Sequence, residues 1–161
     1  MKRLLSIPLA AALCCAFLMP GAARAQEREW ILDAADEDAF LVFGVPETDD
    51  VGVSLWCKLG SARVKLYFPE GSPDLKPDIT APYELIVGAK KHKLSGRTTA
   101  NDLTGSTSVE TELSADDPLW AELIKADRFT VKIGKHELTY PLVDAGIDNL
   151  LKLCREKPAE Q

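Results

Sequence analysis

The sequence predicts a mainly β (α+β) protein: an antiparallel sandwich or partly open barrel, with a short C-terminal helix tied on by a disulfide. The first observation is a period-two alternation of apolar and polar residues, which is typical of half-buried strands. The second is that several connections are short, since residues 46–50 and 59–61 fit hairpin turns. The third is a cysteine pair, with one member on a strand pattern and the other on a helical pattern.

The predicted strands follow that alternation along the chain. Alternating segments span residues 51–57, 63–68, 107–113, 129–133 and 138–142. Residues 39–45 are apolar throughout, which predicts a central strand covered on both faces. With a hairpin around residues 88–94, we expect roughly seven to nine strands. The proline-containing segment 70–82 predicts a long surface loop, and the polar segment 95–105 predicts an irregular connection.

Two short helices are expected in the C-terminal third. Asp117 and Pro118 fit an N-cap followed by proline at the first helical position, and apolar residues then recur at helical spacing to about Asp127. A second helix is expected from about Asp144. Its apolar stripe consists of Ile147, Leu150, Leu151 and Cys154.

Residues 1–25 have the features of a cleavable secretory signal peptide. Lys2 and Arg3 form a basic start, an apolar stretch follows, and residues 23–25 fit the small-x-small cleavage rule. The apolar stretch is shorter than the ~20 residues of a spanning helix, so we expect cleavage and no stable membrane insertion afterwards. The chain from Gln26 is then a single β-rich domain, 26–161, that is periplasmic or secreted, with 155–161 as a frayed tail.

The exported chain is acidic. Removing the basic residues Lys2, Arg3 and Arg24 with the leader changes the formal net charge from −6 to −9. Such a surface argues against binding to nucleic acid or to anionic membranes, because both carry the same sign of charge. The charge alone identifies no partner.

Two of the four cysteines, Cys14 and Cys15, lie in the leader, so Cys57 and Cys154 remain after export. An oxidising compartment favours a disulfide between them. In the chain-entropy view, closing such a long loop stabilises the fold by about 4–5 kcal/mol. A redox-active pair is the alternative, but it normally has C-x-x-C spacing in a thioredoxin-like βαβ unit, and neither is present.

The sequence assigns no catalytic, cofactor-binding or metal-binding residue. His92 and His136 fall on the apolar side of their strands and lack ligand spacing such as H-x-H or H-E-x-x-H. Carboxylates cluster at 33–38, 49–50 and 116–117, where turns and helix caps account for them. No G-x-S-x-G motif or glycine-rich phosphate loop occurs. These absences favour a protein that is not an enzyme, and an enzyme stays open as the alternative.

Two features are candidate partner-binding sites. Lys90, Lys91 and Lys93 place three cations in four residues of an acidic chain, which would orient an anionic partner. The alternative role is edge protection, in which the lysines discourage strand pairing between molecules. Trp56 lies on the strand face opposite Val53, Leu55 and Cys57, so it is a candidate ligand platform or a side chain packed under a second layer.

The C-terminal layout resembles a class of small exported proteobacterial proteins. The residues that carry the resemblance are the strand segments 129–133 (Phe-Thr-Val-Lys-Ile) and 138–142 (Leu-Thr-Tyr-Pro-Leu), followed by a short helix ending in Cys154. This part is similar to the end of invasion-associated-locus-B-type proteins and of the periplasmic VasI-type accessory proteins of type VI secretion. The resemblance implies a periplasmic, non-enzymatic accessory or host-interaction protein and supplies no site residues.

These observations favour a non-catalytic binding or accessory module that acts through a protein surface, with another envelope or host protein as its partner. Two alternatives stay open. A carboxylate pair would suit a periplasmic hydrolase, and a deep apolar cavity would suit a small-ligand or lipid carrier.

Overall fold

The computed structural model describes residues 27–102 and 105–156. The predicted leader, its cleavage site and residues 157–161 of the predicted tail lie outside the described residues. Neither helix in the described part of the chain has the length and apolarity of a membrane span.

Nine strands and two helices make up these residues. The strands are β1 (Glu29–Ala35), β2 (Asp38–Gly44), β3 (Val51–Lys58), β4 (Arg63–Phe68), β5 (Thr80–Val87), β6 (Lys90–Asn101), β7 (Ser106–Ser114), β8 (Arg128–Ile133) and β9 (His136–Pro141). The helices are α1 (Pro118–Leu123), between β7 and β8, and α2 (Ile147–Arg155), after β9.

All nine strands belong to one antiparallel sheet, in the order β1-β2-β3-β4-β7-β6-β5-β8-β9. The sheet curls until its two edges meet at one end. There the Trp30 indole N–H of β1 donates to the Pro141 carbonyl oxygen of β9 at 2.7 Å. Nearby, the Tyr140 hydroxyl donates to the Gly52 carbonyl oxygen at 2.9 Å. The predicted β-rich fold is confirmed, and of its two forms the structure is the partly open barrel.

The concave side of the curled sheet holds the core, and α2 covers its open half. The helix packs against β2, β3 and β4. Its predicted apolar stripe is confirmed, because Ile147, Leu150, Leu151 and Cys154 are all buried. The predicted Cys57–Cys154 disulfide is also confirmed, and it joins β3 to α2 across 97 residues of sequence. A disulfide fits an extracytoplasmic protein.

An ordered loop, residues 69–79, closes the other part of the barrel. It docks on buried threonines of β6 and β7. The Thr98 hydroxyl donates to the Lys76 and Ile79 carbonyl oxygens at 2.8 and 3.0 Å, and the Thr107 hydroxyl donates to the Leu75 carbonyl oxygen at 2.8 Å. Because buried backbone groups need partners, these hydroxyls let a loop lie against the core.

The prediction of an irregular connection at 95–105 is wrong, since β6 continues to Asn101 and pairs with β7 from Arg97 onward. The inward-facing residues of this part of β6 are Gly96 and Thr98, which are buried but carry no large apolar side chain. The sequence therefore shows no alternation of apolar and polar residues here. Gly96 is required there, because a Cβ would lie 2.5 Å from a Val109 methyl carbon.

Smaller differences concern strands β1 and β2 and the ends of the two helices. β1 was not predicted, because acidic residues interrupt its apolar pattern. β2 is not covered on both faces, since Phe40 and Val42 are half-exposed on the outer side. The Asp117 cap of α1 is confirmed by its bond from the Leu119 N–H at 2.9 Å, but the helix ends at Leu123. Arg155, expected in the frayed tail, is the last residue of α2.

Candidate binding surface

The outer face of the sheet divides into two halves of different chemistry. On β5, β6, β8 and β9, the outward side chains are mostly charged or hydroxyl groups that pair across strands, with half-exposed Ile86 as the apolar member between Lys91 and Thr130. We call this half the charge-paired face, and its residues are Glu84, Lys91, Lys93, Thr130, Lys132, Glu137 and Thr139. One row of outward side chains alternates in charge across the four strands. It consists of Lys93, Glu84, Lys132 and Glu137, so the cations and carboxylates compensate one another.

The pairs on the charge-paired face are direct. Lys132 Nζ lies 3.0 Å from a Glu137 carboxylate oxygen. The hydrogen bond and charge of Glu137, with a further contribution from Glu84, raise the pKa of Lys132. The Thr130 and Thr139 hydroxyls hydrogen-bond each other at 2.8 Å. This half of the sheet therefore satisfies its own polar groups.

The predicted lysine site lies at the tip of the β5–β6 hairpin, where α1 covers the inner side. Lys90 Nζ contacts a Glu122 carboxylate oxygen of α1 at 2.8 Å, and Lys91 Nζ lies 4.0 Å from Glu84. Lys93 stands opposite Glu84 in the strand register. The lysines are exposed, as expected, but carboxylates accompany them, which reduces the local positive field.

His92 takes part in the same cluster. Its Nε2 lies 3.0 Å from the second Glu122 carboxylate oxygen. The hydrogen bond from Lys90, and secondarily that from His92, lowers the pKa of Glu122. His136, by contrast, is exposed at the start of β9. Within residues 27–102 and 105–156, no three His, Cys, Asp or Glu side chains come together as a metal site would require.

The other half of the outer face is apolar and aromatic. On β1 to β4, five large side chains point outward and are half-exposed. We call this half the aromatic face, and its residues are Ile31, Phe40, Val42, Trp56 and Tyr67. The strand register places them together, with Ile31 beside Val42 and Phe40 beside Trp56. Half-exposed apolar groups in one continuous patch are typical of interaction surfaces.

Trp56 lies at the centre of the aromatic face. On one side, the Phe40 ring stacks on it at a centroid distance of 6.3 Å. On the other side, Lys65 Nζ lies 4.3 Å from its ring centroid. Lys65 is in turn paired with Glu110 at 3.2 Å. The indole is thus held in position with its outer edge available, so it is suited to be an anchor for a partner rather than an open stacking platform.

A charged cluster borders the aromatic face at one end. The Arg28 guanidinium contacts both Asp50, in the β2–β3 turn, and Glu70, after β4. The Asp50 hydrogen bond, more than the other interactions, raises the pKa of Arg28. Asp50 and Glu70 line the same groove, and Arg28 engages both carboxylates.

Two shallow grooves run beside Tyr67. One, of about 490 Å³, passes Asp50 and Glu70, and the other, of about 400 Å³, passes Arg97 and Glu110. Both share Tyr67 and Asn101 as walls. They extend the aromatic face into a continuous surface with charged borders, which is the composition of a protein interface with an aromatic centre.

The sequence found one residue of this surface. Trp56 was predicted, whereas Lys91 and Lys93 lie on the outer side of the sheet but beyond β4 and β7, and Lys90 contacts Glu122 of α1. Phe40 and Val42 were missed because residues 39–45 are apolar at every position, which hides the outward-facing set. Tyr67 and Ile31 were missed because single residues give no patch until the register is known.

Comparison with known protein families, with curated proteins and with solved structures finds no match for this chain. The C-terminal resemblance stays an expectation from the sequence.

Proposed function

We propose that this protein is an exported, non-catalytic binding or accessory module that recognises another envelope or host protein through the aromatic face. The observation that carries the proposal is the contrast between the halves of one sheet. Polar groups on the charge-paired face pair with each other, while five large apolar side chains on the aromatic face have only partial cover.

The chemistry of the aromatic face fits a protein partner. Trp and Tyr provide large contact area with few rotatable bonds, and they are common among the residues that dominate interface energies. Lys65 and Arg63 border the patch and already pair with Glu110 and Glu112. Charges paired in this way form a polar rim and favour a partner that covers the centre with apolar side chains.

Export supports the same proposal. The leader-like residues 1–25 and the Cys57–Cys154 disulfide agree with a periplasmic or secreted protein. The resemblance of residues 129–154 to periplasmic accessory proteins points in the same direction. Removal of the leader at the predicted site is tested by mass spectrometry of the exported chain, which should begin at Gln26.

Capture from a periplasmic extract tests the proposal when variants of the two faces are compared. Trp56→Ala with Tyr67→Ala changes the aromatic face, and Thr130→Ala with Thr139→Ala is the matched change on the charge-paired face. We expect a specific partner to be recovered by the wild type and by the threonine variant, and at least about tenfold less by the aromatic variant. Equal recovery by all three would contradict the proposal.

The hairpin lysines are included as the rival location. Changing Lys90, Lys91 and Lys93 to Gln should leave capture intact if the aromatic face is the contact. If capture is lost and its salt dependence becomes flat, the lysine tip is the contact instead. Increased self-association with intact capture would identify the lysines as edge protection.

A further inference from the structure

Both edge strands of the sheet have exposed residues, but they differ in how their charges are compensated. At β9, the Glu137 carboxylate pairs with Lys132 of β8 and the Thr139 hydroxyl bonds Thr130. At β1, only the beginning of the strand is closed, by the Trp30 contact to β9. From Leu32 to Ala35 every residue is exposed, and Leu32 retains 38% of its surface although it is apolar.

The exposed part of β1 and the turn after it carry carboxylates without an ion pair, although Glu37 of the same turn lies 3.8 Å from Lys58 Nζ. Glu29 and Asp33 point to the outer side of β1, and Asp36 follows in the turn. Among the described residues, none of the three has an ion pair. The Asp33 carboxylate only accepts a hydrogen bond from the neighbouring Ala34 N–H at 2.8 Å. A local negative field therefore coincides with an open strand edge.

We propose that β1 accepts an extended segment of the partner protein as an additional strand, and that this segment carries Lys or Arg at alternate positions with apolar residues between them. Main-chain hydrogen bonds to the free edge supply attachment, as in other cases of strand addition. A basic side chain lies next to Asp33 on the outer side, within the exposed run Leu32–Ala35. The apolar side chains turn inward and cover Leu32.

This inference rests on the proposed binding function and names the form of the partner. An added strand would lie beside Ile31, so its basic outward side chains would form a charged border along the aromatic face. Charge disfavours the simplest competing occupant, a second copy of β1. Two copies would bring Asp33 of both chains to one seam, where like charges oppose pairing.

Short blocked peptides are suitable probes. The first alternates Lys and Val, the second replaces Lys by Glu, and the third replaces Val by Pro so that charge stays but strand pairing is prevented. We expect the Lys-Val peptide to bind the exported protein and to slow hydrogen exchange of the β1 amides. The Glu-Val and Lys-Pro peptides should bind at least about tenfold more weakly.

Variants at β1 separate charge from local structure. Asp33→Asn keeps an acceptor for the Ala34 N–H and should weaken Lys-Val binding several-fold, while Asp33→Lys should abolish it. Asp127→Lys makes the same charge change at an exposed site before β8 and should leave binding unchanged. Equal binding of Lys-Val and Lys-Pro, or unchanged β1 exchange, would overturn the inference. Dimerisation of Asp33→Asn without peptide binding would show edge protection only.

The outcome is independent of the capture experiment. Suppose that Trp56→Ala with Tyr67→Ala does not alter partner capture but the Lys-Val peptide still protects the β1 amides. The aromatic face is then not the contact, and the strand-addition inference is supported. If capture depends on the aromatic face but no peptide protects β1, the strand-addition inference fails alone.

Discussion

The two halves of the outer sheet face have the same backbone architecture and opposite surface chemistry. On β5, β6, β8 and β9, Lys132 pairs with Glu137 and Thr130 bonds Thr139, so polar groups face water and compensate one another. On β1 to β4, Phe40 stacks on Trp56 and apolar neighbours remain half-exposed. Both surfaces are compatible with the fold, so the difference is not needed to form the sheet, and it is the difference on which the proposed contact rests.

The inner side of the sheet is divided into the same two halves. Beneath the aromatic face, α2 and the Cys57–Cys154 disulfide cover β2, β3 and β4. Beneath the charge-paired face, β5 packs without that helix, and the Tyr83 ring is buried at 4% exposure. The two halves share one core, in which the Phe68 ring of β4 lies 5.8 Å from the Tyr83 ring of β5, but only one half is covered by α2. Perturbing α2 or Tyr83 should therefore loosen the nearer half first.

Removing the disulfide should have the largest effect. Replacing Cys57 and Cys154 by Ala releases a cross-link across 97 residues and should lower the free energy of unfolding by about 4–5 kcal/mol. Chemical denaturation measures the loss. Hydrogen exchange should show the greatest loss of protection in α2, β2 and β3. A uniform loss over all nine strands would contradict the expectation that the nearer half loosens first.

Alkaline pH should loosen the other half. Burial raises the pKa of Tyr83 to about 12, against a smaller lowering by the nearby Thr111 hydroxyl. That hydroxyl donates to the Ser95 carbonyl oxygen at 3.0 Å, and the Tyr83 hydroxyl has no well-aligned partner in the described residues. The free energy of unfolding therefore keeps its full value below the pKa of an unfolded tyrosine, about 10. It falls by roughly 2–3 kcal/mol as the pH rises through about 12.

Tyr83→Phe tests this expectation. At neutral pH the variant should be nearly as stable as the wild type, because the deleted hydroxyl makes no well-aligned hydrogen bond in the described residues. Between pH 10 and 12 its stability should decline less. Thr139→Val, which removes a hydroxyl that does not ionise in this range, is the control and should keep the wild-type decline. Equal alkaline profiles for both variants would refute the role of Tyr83.

The aromatic side chains should contribute modestly to stability. Trp56→Ala removes the Phe40 stacking contact and the Lys65 cation–π contact, and should cost about 1–2 kcal/mol. Lys132→Ala, the matched change on the charge-paired face, removes one exposed ion pair and should cost less than about 1 kcal/mol. Thermal denaturation distinguishes them. A loss above ~4 kcal/mol for Trp56→Ala would indicate a structural role instead of a contact surface.

The smallest expected effect concerns acid. The pKa of Glu122 is lowered, first by the hydrogen bond from Lys90, so its contribution is present above the unfolded glutamate pKa and is lost as the pH falls through the folded value. Melting temperatures measured from neutral pH to below pH 4 should therefore decline slightly less in Glu122→Gln than in the wild type. An identical slope for both proteins would show that α1 is not held to β6 by this cluster.

The sequence predicted the parts of this molecule that repeat a simple pattern. The alternation from Val51 to Cys57 and the apolar stripe from Ile147 to Cys154 each lie within one continuous segment of sequence. Each pattern places a cysteine on an apolar face, and together they predicted the disulfide. The aromatic face depends on register between strands, which brings Ile31 of β1 beside Val42 of β2. Thr98 was missed for another reason, because its burial depends on loop carbonyls 19 and 22 residues away.

Site-specific photo-crosslinking measures the central claim most directly. A photoreactive amino acid is placed at Val42 on the aromatic face or at Thr139 on the charge-paired face, in the full exported chain, and irradiated in the periplasmic extract. The account predicts one discrete crosslinked partner from position 42 and none, or only a diffuse background, from position 139. The same partner with equal yield from position 139, or crosslinks confined to that position, would contradict the assignment of the aromatic face as the binding surface.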